Sequence, residues 1–169
     1  MKVCTRTYNF LFISTLAVLV GVAGVAQAAT LQCGRGALFF RAYDADDGAG
    51  TIKRELHFMI YRFTNPGTAT ATISEIKFFD PDGVLVKTLG AGGDPFPDEF
   101  DPVIAPKAQE DLELKDVFDT PDPPDKLFVR LFATSDKKLI GTRIRVARGF
   151  KPGFGGQEER SRVILDCKD

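Results

Sequence analysis

The sequence predicts an all-β protein, a two-sheet antiparallel β-sandwich of the Ig-like or jelly-roll-like kind, with a small β-barrel as the alternative. Segments rich in β-branched and aromatic residues recur along the chain, and turn residues separate them. No convincing amphipathic helix interrupts them. Seven or eight short strands at this spacing favour two packed sheets. The chain holds 15 Phe and no Trp, so phenylalanine is expected to dominate the core.

Eight segments have the composition of strands. They are Ala37–Tyr43, Ile52–Thr64, Thr70–Asp80, Val84–Leu89, Asp111–Val117, Leu127–Thr134, Leu139–Arg148 and Arg160–Cys167. Tight-turn sequences such as Asn65-Pro66-Gly67 and Asp80-Pro81-Asp82-Gly83 stand between them, because Pro presets φ and Gly accepts positive φ.

Strand alternation places Arg143 and Arg145 on one face of their strand. It places Arg160 and Arg162 on one face of the last strand, with Val163 and Cys167 pointing inward.

The first 28 residues have the three parts of a secretory signal peptide. Lys2 and Arg6 supply positive charge, Phe10 to Val25 is almost wholly apolar, and Ala26-Gln27-Ala28 has small residues where a signal peptidase cleaves. An uncleaved anchor is the alternative, although the apolar run is shorter than the ~20 residues that a bilayer span requires. We therefore predict a signal peptide over 1–28, one domain over 29–169, periplasmic or secreted localisation, and no stable membrane insertion after cleavage.

Cysteine usage predicts one disulfide. Cleavage would remove Cys4 and leave Cys33 and Cys167 near the two ends of the domain. An even number of cysteines in an oxidising compartment favours a bridge. The alternative is two free thiols too far apart to bond.

Charge is balanced overall but divided along the chain. Residues 29–125 hold 9 Lys/Arg against 18 Asp/Glu, a balance of −9, whereas residues 126–169 hold 11 against 5, a balance of +6. The two halves are expected to attract each other within one fold. A nucleic-acid binder is more often basic overall, so nucleic acid is not expected as a partner.

The middle of the chain, roughly residues 56–146, resembles small bacterial β-sandwich domains of the sensory rhodopsin transducer kind and related secreted sandwiches. The resemblance lies in turn chemistry and alternation, in the segments Phe63–Pro66, Ala71–Ile73, Ile76–Gly83, Ile104–Lys107, Leu112–Leu114 and Ile140–Arg143. It implies a domain that binds partners or small ligands, often oligomerises, and is not an enzyme. The chain departs from that pattern in its leader, its cysteine pair and its long acidic loops, so no functional residue is carried over.

No catalytic constellation stands out. His57 is the only histidine, and its place within a strand indicates a sheet-surface residue rather than part of a Ser-His-Asp device. A hydrolase using loop carboxylates such as Asp98 and Glu99 stays a second alternative. We predict no enzyme activity and no cofactor.

Acidic loops raise the question of calcium. The segment Asp44–Gly48 begins like a calcium loop, but its sixth position is Ala49 rather than Gly, so the EF-hand pattern fails. Two further acidic loops lie at 94–101 and 119–125. Their interpretation as solvated charge that keeps sheet edges apart is preferred, and no metal site is predicted.

The candidate binding surface is a basic strip on the last two strands. If these strands pair, Arg143, Arg145, Arg160 and Arg162 line one surface, beside Phe150 and Phe154 of a Gly-rich loop. Arginine forks suit carboxylates and phosphates. The acidic half of the chain could neutralise these arginines, and an anionic ligand or partner is the alternative.

From the sequence we expect an exported, non-enzymatic binding or protein-interaction module whose partner is an unknown protein or an anionic ligand. The first alternative is a structural subunit of an envelope or surface assembly, joined through exposed edge strands and able to form homo-oligomers.

Overall fold

The structure, a computed structural model, describes residues 28–44, 52–118, 126–150, 157–164 and 167–168. Apart from Ala28, the predicted signal peptide lies outside these ranges, and so do most of the first acidic loop and Asp119, Asp122 and Phe154. No helix in the described ranges has the length and apolar character needed to cross a membrane.

The all-β prediction is confirmed. The described elements are β1 (Ala29–Asp44), β2 (Ile52–Thr64), β3 (Ala71–Phe79), β4 (Leu85–Gly90), β5 (Val103–Ile104), β6 (Gln109–Glu113), α1 (Leu114–Val117), β7 (Lys126–Ser135), β8 (Ile140–Phe150) and β9 (Gln157–Ile164).

Hydrogen bonds join the strands into one open, antiparallel sheet with the order β4-β3-β7-β1-β2-β8-β9, while β5 pairs with β3 and β6 with β2. The finer choice between a sandwich and a barrel stays a prediction. Strand β1 changes partner along its length. Residues 29–39 pair with β7 and residues 39–44 pair with β2, so Phe39 is common to both ladders.

Aromatic side chains form a large part of the core. Tyr61 of β2 lies edge-on to Phe78 of β3 at 6.4 Å between ring centroids, and Phe78 lies 5.4 Å from Phe118. The hydroxyl of Tyr61 lies so close to Gly36 that a β-carbon there would collide with it. This close approach explains the glycine in the middle of β1.

Polar side chains fix the predicted turns. Asn65 is buried, its Nδ2 donates to the carbonyls of Ala69 (2.9 Å) and Ile104 (3.0 Å), and its Oδ1 accepts from the Gly67 amide (2.9 Å). Asp80 accepts from the amides of Asp82 and Val84 at the next turn. These bonds satisfy backbone groups that the loops would otherwise leave unpaired.

Two sequence predictions are corrected. The predicted strand Asp111–Val117 ends at Glu113, and a single helical turn follows because Leu114 and Val117, three residues apart, are both buried. Val163 was predicted to point inward, but it is 60% exposed. Strand β9 lies at the edge of the sheet, so alternation there does not imply burial on either face.

The predicted disulfide is present. Cys33 and Cys167 are bonded, with their Cα atoms 4.0 Å apart, and Gln32 and Lys168 exchange two backbone hydrogen bonds of 2.7 Å beside them. Gly141, at the start of β8, packs against this bridge. A β-carbon at Gly141 would lie 2.6 Å from the Cβ of Cys167. The bridge therefore links β1 covalently to the residues that follow β9.

Candidate functional site

Strands β8 and β9 pair and bring the predicted arginines together. Arg145 lies directly opposite Arg162, Arg143 lies opposite Ile164, and the backbone of Arg160 lies opposite Ala147. Arg145 and Arg162 are exposed, whereas Arg143 is buried. The side chains of Arg160 and Phe150, like the whole of Phe154, lie outside the described part of the chain.

The exposed arginines border a depression of about 260 Å³, here called the arginine cleft. It is lined by Arg41, Glu55, His57, Arg145, Ala147, Ser161 and Arg162. Strand register explains the convergence. Arg41 of β1 is opposite Glu55 of β2, and His57 of β2 is opposite Ala147 of β8. Residues two apart share a face of a strand, so these positions form neighbouring rows on one surface.

His57 lies in the floor of the cleft rather than on an open sheet surface, which corrects the sequence prediction. Its side chain is 8% exposed, and its Nε2 lies 3.2 Å from Oε2 of Glu55, which is 10% exposed. The imidazole stacks on the ring of Phe39, with 4.6 Å between centroids and 5° between planes. Phe39 and Glu55 therefore fix the ring orientation.

The environment of His57 favours its neutral form. Burial lowers the pKa of His57, and the nearby Glu55 carboxylate opposes that shift. Arg145 and Arg41 lower the pKa further by charge repulsion. A neutral imidazole offers one N–H donor and one acceptor. Both ring nitrogens are buried, Nε2 faces the Glu55 carboxylate, and among the described residues none bonds the ring to a nucleophile.

Among the described side chains, the acidic half contributes only Glu55 to this cleft. Other carboxylates of residues 52–118 pair elsewhere: Asp111 with Arg62 at 2.7 Å, Asp94 with Lys87 at 3.3 Å, and Glu113 with Lys115 at 2.8 Å. None of the ion pairs between described side chains includes Arg41, Arg145 or Arg162. Of the carboxylates with described side chains, Glu55 alone lines the cleft.

The acidic loop at 94–101 is described, and two of its four carboxylates have local roles. Asp94 pairs with Lys87, and Asp101 accepts from the Val103 amide at 2.8 Å. Asp98 and Glu99 are exposed. Within the described ranges, no group of three or more His, Cys, Asp or Glu side chains is arranged to hold a metal ion.

Sequence reasoning missed Arg41 and the part played by Glu55 and His57. Arg41 lies in a predicted strand, but its approach to Arg145 depends on β1 leaving β7 to pair with β2. Periodicity assigns a side chain to a face of its own strand and does not say which strands are neighbours. The sequence signal that could have indicated this site is the pair Glu55 and His57, which are two residues apart and so share one face of their strand.

Comparison of the chain with protein-family models, curated proteins and solved structures found no match.

Proposed function

We propose that this protein is a non-enzymatic binding module that captures an anionic group in the arginine cleft. The observation that carries the proposal is the convergence of Arg41, Arg145 and Arg162 around the buried His57, with no described carboxylate in an ion pair with these arginines.

Charge repulsion within the sheet supports this proposal. Like charges directly opposite each other on paired strands destabilise a sheet, and Arg145 and Arg162 occupy such a pair. An anion between them would turn this repulsion into two charge-assisted hydrogen bonds. Bonds of this kind to a charged group contribute about 1.5–3 kcal/mol each. Guanidinium groups also suit the planar geometry of a carboxylate or the oxygens of a phosphate.

The charges around the cleft favour an anion over a cation. The single N–H of a neutral His57 is best placed on Nε2, which faces the Glu55 carboxylate, so the arginines supply the donors to an anion. A cation in the same place would meet three arginines and one carboxylate.

The test is a thermal-shift titration of the oxidised protein with sodium acetate, phosphate and sulfate at constant ionic strength. A ligand at ten times its Kd stabilises the folded state by about 1.4 kcal/mol, which corresponds to a rise of roughly 5 °C in a domain of this size. We expect that rise in the wild type and its loss in Arg145→Ser/Arg162→Ser.

The matched control is Lys137→Ser/Lys138→Ser, which removes the same number of positive charges from an exposed turn outside the cleft. It should keep the full anion response. Equal responses in the two double variants would show that anions act through overall charge, and the proposal would then be wrong. Without ligand, Arg145→Ser/Arg162→Ser should melt no lower than wild type, because it removes an unfavourable charge pair.

The disulfide supports export of this module. Disulfides form and persist in the periplasm and outside the cell, and they are rare in the reducing cytosol. Expression with and without the first 28 residues, followed by cell fractionation and thiol labelling, tests this point. Oxidised protein in the periplasm or medium, only when these residues are present, is the expected result.

A role as a structural subunit is the second candidate, and the exposed edge strand β4 favours it. Val84, Leu85 and Val86 are consecutive and 43–62% exposed at or beside that edge. An apolar edge with unpaired backbone groups can receive a strand from another chain. Sedimentation analysis at high protein concentration is the test. A strict monomer would exclude self-assembly through this edge, and Leu85→Lys should dissociate any oligomer that forms.

A further inference from the structure

A second depression adjoins the arginine cleft and differs from it in chemistry. Its volume is about 650 Å³, within the range of ~300–1,000 Å³ typical of small-molecule sites. It shares Arg41 and Arg145 with the arginine cleft. The rest of its lining is mostly apolar: Ala37, Phe39, Phe40, Met59, Phe128 and Ile164, with Arg35 and Arg143. We call it the apolar groove.

Phe39 joins the two depressions. Its ring stacks on His57 of the arginine cleft at 4.6 Å and lies 6.5 Å from the ring of Phe128 in the apolar groove. Phe40 also borders this groove, but its side chain points to the other face of the strand from Phe39. Apolar area left in contact with water is area that a ligand can cover, at about 25 cal/mol per Å². The rings of Phe39 and Phe128 therefore form an aromatic surface beside Arg41.

We infer that the ligand is a small amphiphilic monoanion, a carboxylate joined to an apolar chain or ring. Its carboxylate lies between Arg41 and Arg145, and its apolar part lies over Phe39, Phe128 and Ile164. This inference rests on the proposed function, and it adds the chemical class of the ligand.

One feature of the site distinguishes this class from a polyanion. Six of the ten residues that line the apolar groove are apolar, so a chain of charged groups would leave that surface uncovered. An apolar tail, in contrast, loses water there without leaving a polar group unpaired.

The experiment is isothermal titration calorimetry of the oxidised wild-type protein with acetate, hexanoate, octanoate and decanoate, each below its micellar concentration. Burying one methylene contributes about 0.8 kcal/mol, which corresponds to a fourfold gain in affinity at full burial. In a half-open groove we expect a two- to threefold gain per methylene. The uncharged 1-octanol should bind at least tenfold more weakly than octanoate, and octylammonium should not bind.

Variants separate the two parts of the ligand. Ile164→Ser should reduce the gain per methylene while keeping the response to acetate. Leu85→Ser is the matched control, because Leu85 is an exposed aliphatic residue on β4, away from the groove. Arg145→Ser/Arg162→Ser should lower octanoate affinity at least tenfold and bring it near that of 1-octanol.

The outcomes distinguish this inference from the proposed function. Anion binding that does not change with chain length, or that is stronger for sulfate than for octanoate, would overturn the amphiphile and leave the anion site standing. Equal affinity for octanoate and 1-octanol, unchanged in Arg145→Ser/Arg162→Ser, would overturn both. No binding of any of these anions would also overturn both.

Discussion

Removal of the disulfide should destabilise the domain strongly. The bond between Cys33 and Cys167 closes a loop of 134 residue steps. In the chain-entropy model, opening such a loop in the unfolded state costs about 5 kcal/mol of stability. The unfolding entropy of about 2.1 cal/mol/K per residue gives roughly 0.3 kcal/mol/K for the ~140 residues after the predicted leader. We therefore expect Cys33→Ala/Cys167→Ala to melt about 15 °C below the wild type.

The assay is urea and thermal unfolding of wild type and double variant, followed by circular dichroism. If the bond acts by restricting the unfolded chain, the m-value should also rise in the variant, because an open chain exposes more surface. Mass spectrometry of the alkylated wild type provides the control for the bridge itself. A melting temperature within about 3 °C of wild type, with an unchanged m-value, would refute this reasoning.

Three further predictions test local contacts. Gly141→Ala should lower stability by about 1–3 kcal/mol in urea unfolding, because its new β-carbon would lie 2.6 Å from atoms of both Cys167 and Leu31. Asn65→Ala should cost about 2–4 kcal/mol in the same assay, since it removes three hydrogen bonds at a buried turn; a loss below about 0.5 kcal/mol would contradict that role. Because the pKa of His57 is lowered in the folded state, the unfolded chain binds a proton at a higher pH than the folded chain does. His57 therefore contributes to the free energy of unfolding above a pH of about 6.5, and this contribution is lost as the pH falls below that value. Between pH 7.5 and 5, His57→Gln should lose less unfolding free energy than wild type, and parallel losses would contradict this assignment.

Much of the fold was predictable because strand signals are local. Ile52–Thr64 was predicted with the bounds of β2, and the turn at Asn65 followed from Asn-Pro-Gly chemistry. The disulfide followed from cysteine count and compartment. The helical turn at Leu114–Val117 was missed because four residues carry too little periodicity to distinguish a helix from a strand.

The candidate site was predictable in part, because strand alternation is also a local signal. Alternation placed Arg143 and Arg145 on one face of β8, and the register confirms that Arg145 faces Arg162 of β9. Alternation could not show that Arg143 is buried while Arg145 is exposed, because burial depends on what covers that face. No pattern in the residues around Arg41 predicts that it lines the cleft. Arg41 reaches the cleft only through the long-range pairing of β1 with β2.

The position of the site follows from the change of partner in β1. Up to Phe39 the strand pairs with β7, and beyond it with β2. Leu38, before this change of partner, is buried, and Phe40 and Arg41, beyond it, are exposed. The change of partner thereby places the ring of Phe39 near Arg41, two residues further along the same face. The amphiphilic anion that we propose needs that pair of features, and the backbone hydrogen bonds of both ladders hold the pair in place without a ligand.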